Sequence, residues 1–512
     1  MKGITNSLFC GRIVKVHYYL KGDILIMDKN TRIAIVGGGP AGLSMAMYLE
    51  LKGYKNYVIY EKTDHVGGKC HSPVYNGKRY EMGAIMGVQY YYAVHDIEKF
   101  AGVEHDGPKL NRAYKYPDGR IDYRWDTADA LKNPLGFFLK HPGAAMHLKK
   151  LQKQIKKFGE ILETKYKGYD VTGHKGVAQG KYDGFAVTEG REPVSGENPN
   201  LKDLSMPFSK FCEMNGVPLV QEVWIQPFTS FGYGYFDEIP AAYVLKYLDF
   251  KTMMDFVAVK LWTWKDGTQS IYERLNDKLL HPALLNSNIE KVVRGDKVTL
   301  TVNGKEEVFD KLIITAPLQV ATEKNPLDNP VAKSLDTWLD VTDKERELFS
   351  KIDYERYDTQ AVMIEPDKYP DVSYYIVDNM KKERLGHLMV YYRRWEGDKE
   401  QPITTYALRH HKTYNGGKEL GYEETKKMVL DDMRKVGCNP RKKDGKDEVV
   451  YEFQTYYFPH VYSEDYAAGW YDKVEAMQGE NNTFYAGEIM SFGDMDETCE
   501  YSHDLVERFF AD

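Results

Sequence analysis

The stretch RIAIVGGGPAG, residues 32–42, sets a short apolar run directly against Gly37-x-Gly39-x-x-Gly42. The run reads as a buried strand, and PAGLSMAMYLELKG after it as an amphipathic helix that Gly53 ends. The three glycines then have separate roles. Gly37 permits a tight turn, Gly39 lets the main chain approach a pyrophosphate, and Gly42 lets helix and strand pack closely. The helix N-terminus, with Pro40 and Ala41 in its first turn, offers aligned N–H groups and a partial positive charge. YVIYE (57–61) is a second strand, ending at Glu61, 19 residues beyond Gly42. A carboxylate there can accept hydrogen bonds from both adenosine ribose hydroxyls, and it disfavours a 2′-phosphate, so NADP fits poorly. The expectation is a mononucleotide-binding βαβ unit.

Residues 65–88, HVGGKCHSPVYNGKRYEMGAIMGV, separate FAD from NAD. After Glu61 and Lys62 the chain returns across the dinucleotide through Gly67, Gly68 and Lys69, where a nicotinamide enzyme usually has a crossover and a helix. Small residues here allow main chain to pass against a bulkier ring system. Gly83, Ala84 and Gly87, with Ile85 and Met86 between them, are suited to lining a flat flavin. Far along the chain, NTFYAGE (482–488) is a strand entering a turn, and it supplies Gly487 and Glu488 for the ribityl hydroxyls or pyrophosphate-bound water. The helix expected after it, in ETCEYSHDLVERFF, can point its N-terminus at the flavin C2 carbonyl and N1. KVTLTVNGKEEVFDKLIITAPL reads as a hairpin turned at Asn303-Gly304, followed by a buried strand over 312–315. Ile289, ahead of it, and Trp264 in LWTWKDG join the cofactor candidates. Trp262 and Trp264 suit flavin-side packing and core packing equally.

At 512 residues the chain calls for two or three domains. A net charge of −7 argues against nucleic acid as the main partner. The five cysteines (Cys10, Cys70, Cys212, Cys438, Cys499) are scattered and lack CxxC spacing, which points to a reducing, cytoplasmic setting and no structural metal. His387, His410, His411 and His460 show no ligand spacing either. No apolar run is long enough for a transmembrane helix. Residues 1–26 have two readings, a start placed upstream of the true one at Met27, or an arm that associates with a membrane or adds a strand. Leu148, Leu151, Ile155, Phe158 and Leu162 repeat at helical spacing among Lys149, Lys150, Lys153, Lys156 and Lys157. Such a basic amphipathic helix (148–162) is a candidate for peripheral membrane contact, or it packs on its own protein with a solvated lysine face. Residues 168–203 are Gly-rich and polar and read as a loop.

Taken together, TDHVGGKCHSP, RYEMGAIMGV, DGPKL, FGYGYFD, PAAYVLKYLDF, LWTWKDGTQ, ERLGHLMVYY, YYFPHV, SEDYAAGWYDKVEAMQG and NTFYAGEIMSFGDMDE carry a resemblance over most of residues 27–510. The chain resembles the flavin-containing amine oxidase superfamily and, within it, the polyenoic fatty acid (linoleate) isomerases. The 26-residue N-terminal extension and the polar insertion around 170–203 depart from that pattern. The resemblance implies bound FAD and a redox-neutral shift of a double bond in a free polyunsaturated fatty acid, giving a conjugated diene. The route is reversible hydride transfer between a bis-allylic carbon and flavin N5, with no catalytic side chain. It places a carboxylate anchor at Arg112 in KLNRAY and an apolar gate at Phe256 in TMMDF, with Met253 and Met254 beside it. Arginine's planar fork suits a carboxylate better than lysine does. A cation left on the substrate favours aromatic faces, for which Phe228, Phe231, Tyr233, Tyr235 and Phe236 are at hand. The competing reading is an FAD-dependent oxidase or desaturase of a lipid or amine, passing electrons on to oxygen or a carrier. Oligomeric state and the position of the product double bonds stay open.

The expected fold class is α/β, a discontinuous Rossmann-like FAD-binding domain with a mixed-sheet substrate domain and a helical insertion. The boundaries expected are 27–108, 258–330 and 480–512 for the FAD-binding domain. The substrate domain takes 109–125, 206–257 and 331–479, and the insertion 126–205.

Overall fold

Ile33–Val36 is buried at every position, as a strand covered on both faces must be. In the computed structural model this strand lies at the centre of a four-stranded parallel sheet. Tyr57–Tyr60 pairs along one side and Lys311–Ile314 along the other, with Thr483–Tyr485 outside the latter. Strands separated by more than 400 residues of sequence thus meet in one nucleotide-binding sheet. The structure describes residues 27–123, 133–166, 200–323 and 333–510, and the backbone alone of 181–182 and 187–189. The arm at 1–26 and most of the 168–203 loop fall outside the described residues.

The helix after the first strand, Pro40–Leu51, is buried on every side from Ala41 to Leu49, so it is not the amphipathic helix its sequence suggests. It is enclosed by the final helix, Met495–Phe509, and by Gln269–Lys278. Val298–Val302 and Lys305–Phe309 form the expected hairpin, with Asn303 and Gly304 both at positive φ in the turn.

A six-stranded mixed sheet forms the second layer system. Its order runs Val449–His460, Asp353–Val362, Ile403–Leu408, Val390–Tyr392, Ser373–Ile376 and Arg112–Lys115. All neighbours are antiparallel except the last pair, where the early Arg112–Lys115 strand runs parallel to Ser373–Ile376 at the sheet edge. The α/β class with a discontinuous nucleotide-binding part and a mixed sheet is what the structure contains.

One buried ion pair ties the two parts together. Glu81 is fully buried, and its carboxylate accepts from Arg394 Nη1 at 2.9 Å, Ser72 Oγ at 2.5 Å and Thr268 N at 3.0 Å. Burial pushes its carboxyl above the usual range, and the Arg394 guanidinium pulls it back. Removing only the cation leaves a buried charge uncompensated, so Arg394→Met is expected to cost about 3–5 kcal/mol of stability. Urea unfolding measures this, and a loss below about 1 kcal/mol, the range of an exposed pair, would contradict it.

Candidate active site

The glycine loop is built by close approach. A Cβ on Gly42 would sit 1.9 Å from the Gly37 carbonyl oxygen, so only glycine allows the helix to start against the strand. The second glycine segment lies directly on the first. Gly67 N donates to Gly38 O at 3.0 Å, and a Cβ on Gly39 would touch Gly68 Cα at 3.6 Å. Gly83 in turn packs on Lys69, whose carbonyl oxygen a Cβ would meet at 1.6 Å. Gly67, Gly68 and Gly83 therefore serve main chain stacked on main chain. Gly87 departs from the expectation, because its side faces Trp262 and Trp264 and not the cavity.

These loops open onto a cavity of about 600 Å³. Its wall includes Gly37, Gly39, Pro40, Ala41, Glu61 and Lys62 from the first βαβ unit. Gly68, Lys69, Gly83, Ala84, Ile85 and Met86 follow from the glycine-rich segment, and Ile289, Gly487 and Glu488 from far along the chain. Gly42 and Gly67 stand behind this wall as packing positions. Glu61 is buried and clamps the loop, with Oε2 accepting from Gly38 N and Oε1 from Thr63 N and Oγ1, each at 2.8 Å. Lys69 Nζ pairs with Glu488 Oε2 at 2.7 Å across the cavity, joining residues 419 apart in sequence. Backbone N–H groups at a helix start, an acid at the end of the second strand and a Lys–Glu pair are the donors and acceptors a dinucleotide requires. The residues fit FAD.

Beyond the nucleotide side the wall becomes aromatic. Phe231, Tyr233, Tyr247, Tyr357, Tyr406 and Tyr457 line it. Tyr357 stacks on Tyr406 at 5.7 Å and on Tyr457 at 5.4 Å, and the Tyr457 hydroxyl donates to Tyr233 Oη at 2.9 Å. Burial holds the phenols of Tyr233, Tyr357, Tyr406 and Tyr457 far above their ordinary range, so they stay neutral at any physiological pH. Sequence reasoning placed Phe231 and Tyr233 here but assigned Phe228, Tyr235 and Phe236 too, which lie in the packed core. It missed Tyr247, Tyr357, Tyr406 and Tyr457, for which the only signal was the total of 40 tyrosines. The final helix does bring its N-terminus to the cavity through Asp494, Met495 and Thr498. Its N-cap Asp494 accepts from Glu497 N at 2.8 Å, and burial pushes this carboxyl up to about 7.

Arg112 and Phe256 are brought together, though neither lines the cavity. Arg112 Nη2 donates to the Phe256 carbonyl oxygen, and its guanidinium lies 6.0 Å from the Tyr375 ring centre. Tyr375 is 6.1 Å from the cavity-lining Phe231, and Phe256 is 6.2 Å from the cavity-lining Tyr247. Arg112 is therefore one aromatic ring away from the cavity by two routes. Met254 packs at the edge of the core outside the cavity wall. Trp264 is also core: it is buried and its Nε1 donates to Glu98 Oε1 at 2.6 Å, so the flavin-side assignment is corrected. Cys70 faces the cavity, but burial raises its thiol well above the usual range, and Cys499 is pushed up to about 12, so neither is a nucleophile. Among the described residues no His, Cys, Asp and Glu cluster has metal-ligand geometry.

Comparison with known proteins places this architecture. The family described as flavin containing amine oxidoreductase matches residues 40–496. The crystal structure of a CLA-producing fatty acid isomerase from P. acnes is 45% identical, covers 95% of this chain and 100% of its own, and superposes with a TM-score of 0.80. A polyenoic fatty acid isomerase from Ptilota filicina is 24% identical over 380 residues, 70% of this chain and 69% of its own. Putrescine oxidase bound to putrescine, at 13% identity and a TM-score of 0.59 over 93% of this chain and 98% of its own, shares the fold alone.

Proposed function

The chain belongs to the flavin containing amine oxidoreductase family, and from that premise we propose that it isomerises free polyunsaturated fatty acids of the linoleic type to conjugated dienes. FAD is its cofactor. The observation that carries the reading is the tyrosine-walled lobe, continuous with the dinucleotide cleft and ending one ring short of Arg112. An acyl chain needs such an apolar tube with one cation at its end.

When bound, FAD supplies a hydride acceptor that can give back what it takes. The chain's own residues do the rest. Arg112 holds the carboxylate by its planar fork and so sets how deep the chain lies. Phe256, whose carbonyl Arg112 already holds, is the apolar gate, with Met254 behind it. The faces of Tyr233, Tyr357 and Tyr457 surround the reacting stretch, where they stabilise positive charge on the substrate and exclude water. The neutral phenols neither add a competing charge nor abstract a proton.

Linoleate added under anaerobic conditions tests the reading against the oxidase or desaturase alternative. Diene absorbance is expected to rise through many turnovers per flavin with no acceptor present. A single turnover that leaves the flavin bleached would establish net oxidation instead. A free fatty acid partitions into lipid, so peripheral membrane contact belongs to the same proposal. Among the described residues no helix is long and apolar enough to cross a membrane.

A further inference from the structure

The Pro134–Lys140 helix inverts the usual amphipathic pattern. Leu135, Phe138 and Leu139 fall at i, i+3 and i+4 and share one face. That face is 70%, 47% and 71% exposed, while Phe137 points inward at 3%. The following helix, Pro142–Thr164, buries Leu151, Phe158 and Leu162 against its own protein. Its apolar stripe is thus already used, and its exposed residues include Met146, Lys149, Lys150, Lys153, Lys156 and Lys157 together with the acids Glu160 and Glu163 nearer its C-terminal end, of which Glu160 pairs with Lys156 at 3.8 Å. The basic helix and the apolar face therefore come from different helices of one hairpin.

The hairpin is tied to the strand that holds Arg112. Tyr123 is exposed and stacks on His141 between the two helices at 4.7 Å. Ile121, also exposed, bridges back to Lys115 on the strand that begins at Arg112. Val257 and Val259, close to Phe256 in the chain, are exposed as well. Exposed apolar side chains thus occur both on this hairpin and beside Phe256, the residue whose carbonyl Arg112 holds.

We propose that this hairpin docks the protein onto an anionic lipid bilayer, so that Arg112 sits at headgroup level where a free fatty acid presents its carboxylate. The occupant follows from charge and shape together. Leu135, Phe138 and Leu139 form an insertable face, and the lysines of the N-terminal half of the next helix match anionic headgroups, as in helices that lie in an interface without spanning it. A lysine near such a surface strengthens partitioning by about fivefold. The purpose of docking rests on the isomerase reading, but the docking itself is measured without turnover.

The test is co-sedimentation of the flavin-loaded protein with vesicles of phosphatidylcholine, alone or with phosphatidylserine. Wild type is expected to pellet with the anionic vesicles and to be released by salt. Neutralising Lys149, Lys150 and Lys153 to Gln is expected to weaken this by on the order of a hundredfold. Replacing Leu135, Phe138 and Leu139 by Ser is expected to abolish it even at low salt. Both variants should keep the flavin absorbance and the rate on dissolved linoleate, which shows that they fold. Wild type that stays in the supernatant at low salt, or variants that pellet as well as wild type, would overturn the proposal. So would a dimer that the Ser variant dissociates, because the face would then belong to a second copy of the chain. Diene formation without vesicle binding would sink the docking and leave the isomerase reading intact.

Discussion

Gly42→Ala is expected to yield a folded protein that has lost most of its FAD. The added methyl would lie 1.9 Å from the Gly37 carbonyl oxygen and 3.2 Å from Thr315 Oγ1. Those neighbours are the turn itself and the next strand, so the helix start must move away from the sheet. Overpacking of this kind costs about 1–3 kcal/mol even where side chains can yield. Here the displaced groups are the N–H donors meant for the pyrophosphate, so the cost falls on cofactor affinity. A loss of roughly tenfold to a hundredfold follows, since about 1.4 kcal/mol is tenfold. Flavin absorbance per protein after gel filtration is the measurement. Gly143→Ala, where a Cβ meets nothing within 4 Å, is the control and should keep full flavin content. A Gly42→Ala protein with one FAD per chain would show that the loop does not carry the pyrophosphate.

Arg112→Ala should separate the free acid from its ester. A hydrogen bond to a charged partner contributes about 1.5–3 kcal/mol, so KM for linoleate should rise by roughly tenfold to a hundredfold. The methyl ester has no carboxylate to lose, and its KM should change by less than about threefold. Arg112→Lys should recover only part of the effect, because an ammonium cannot hold the Phe256 carbonyl and a carboxylate in one planar fork. Equal losses for acid and ester would remove Arg112 from substrate binding and leave it a packing residue against Tyr375.

The cofactor half of the site was legible because its demands are local. Gly42 must be small because the Gly37 carbonyl lies five residues back against it, Gly37 itself takes a positive φ in the turn, and Glu61 ends the strand that follows. The tyrosine wall was not legible, for an equally physical reason. Tyr406 and Tyr457 each stand two residues from the position paired with Tyr357, so the three share one face of the mixed sheet. That face exists only once strand order and register are set, and a tyrosine in a strand has the same local propensity whichever way it points. Trp264 failed in the opposite direction. Its neighbourhood in LWTWKDG resembles a cofactor-side turn, but its indole N–H had a buried carboxylate, Glu98, to satisfy.

By itself, the sequence determined the nucleotide-binding unit, the flavin and the kinship, because close backbone approach and turn geometry demand particular residues at particular spacings. The tertiary structure alone decided which rings wall the cavity, that Arg112 stands one ring behind them, and that the exposed apolar face belongs to Pro134–Lys140 while the basic helix spends its own apolar side on the core. Those outcomes depend on which of many chemically equivalent aromatic and aliphatic side chains meet across long separations. Burial rewards any of them almost equally, so only the packing itself makes the choice.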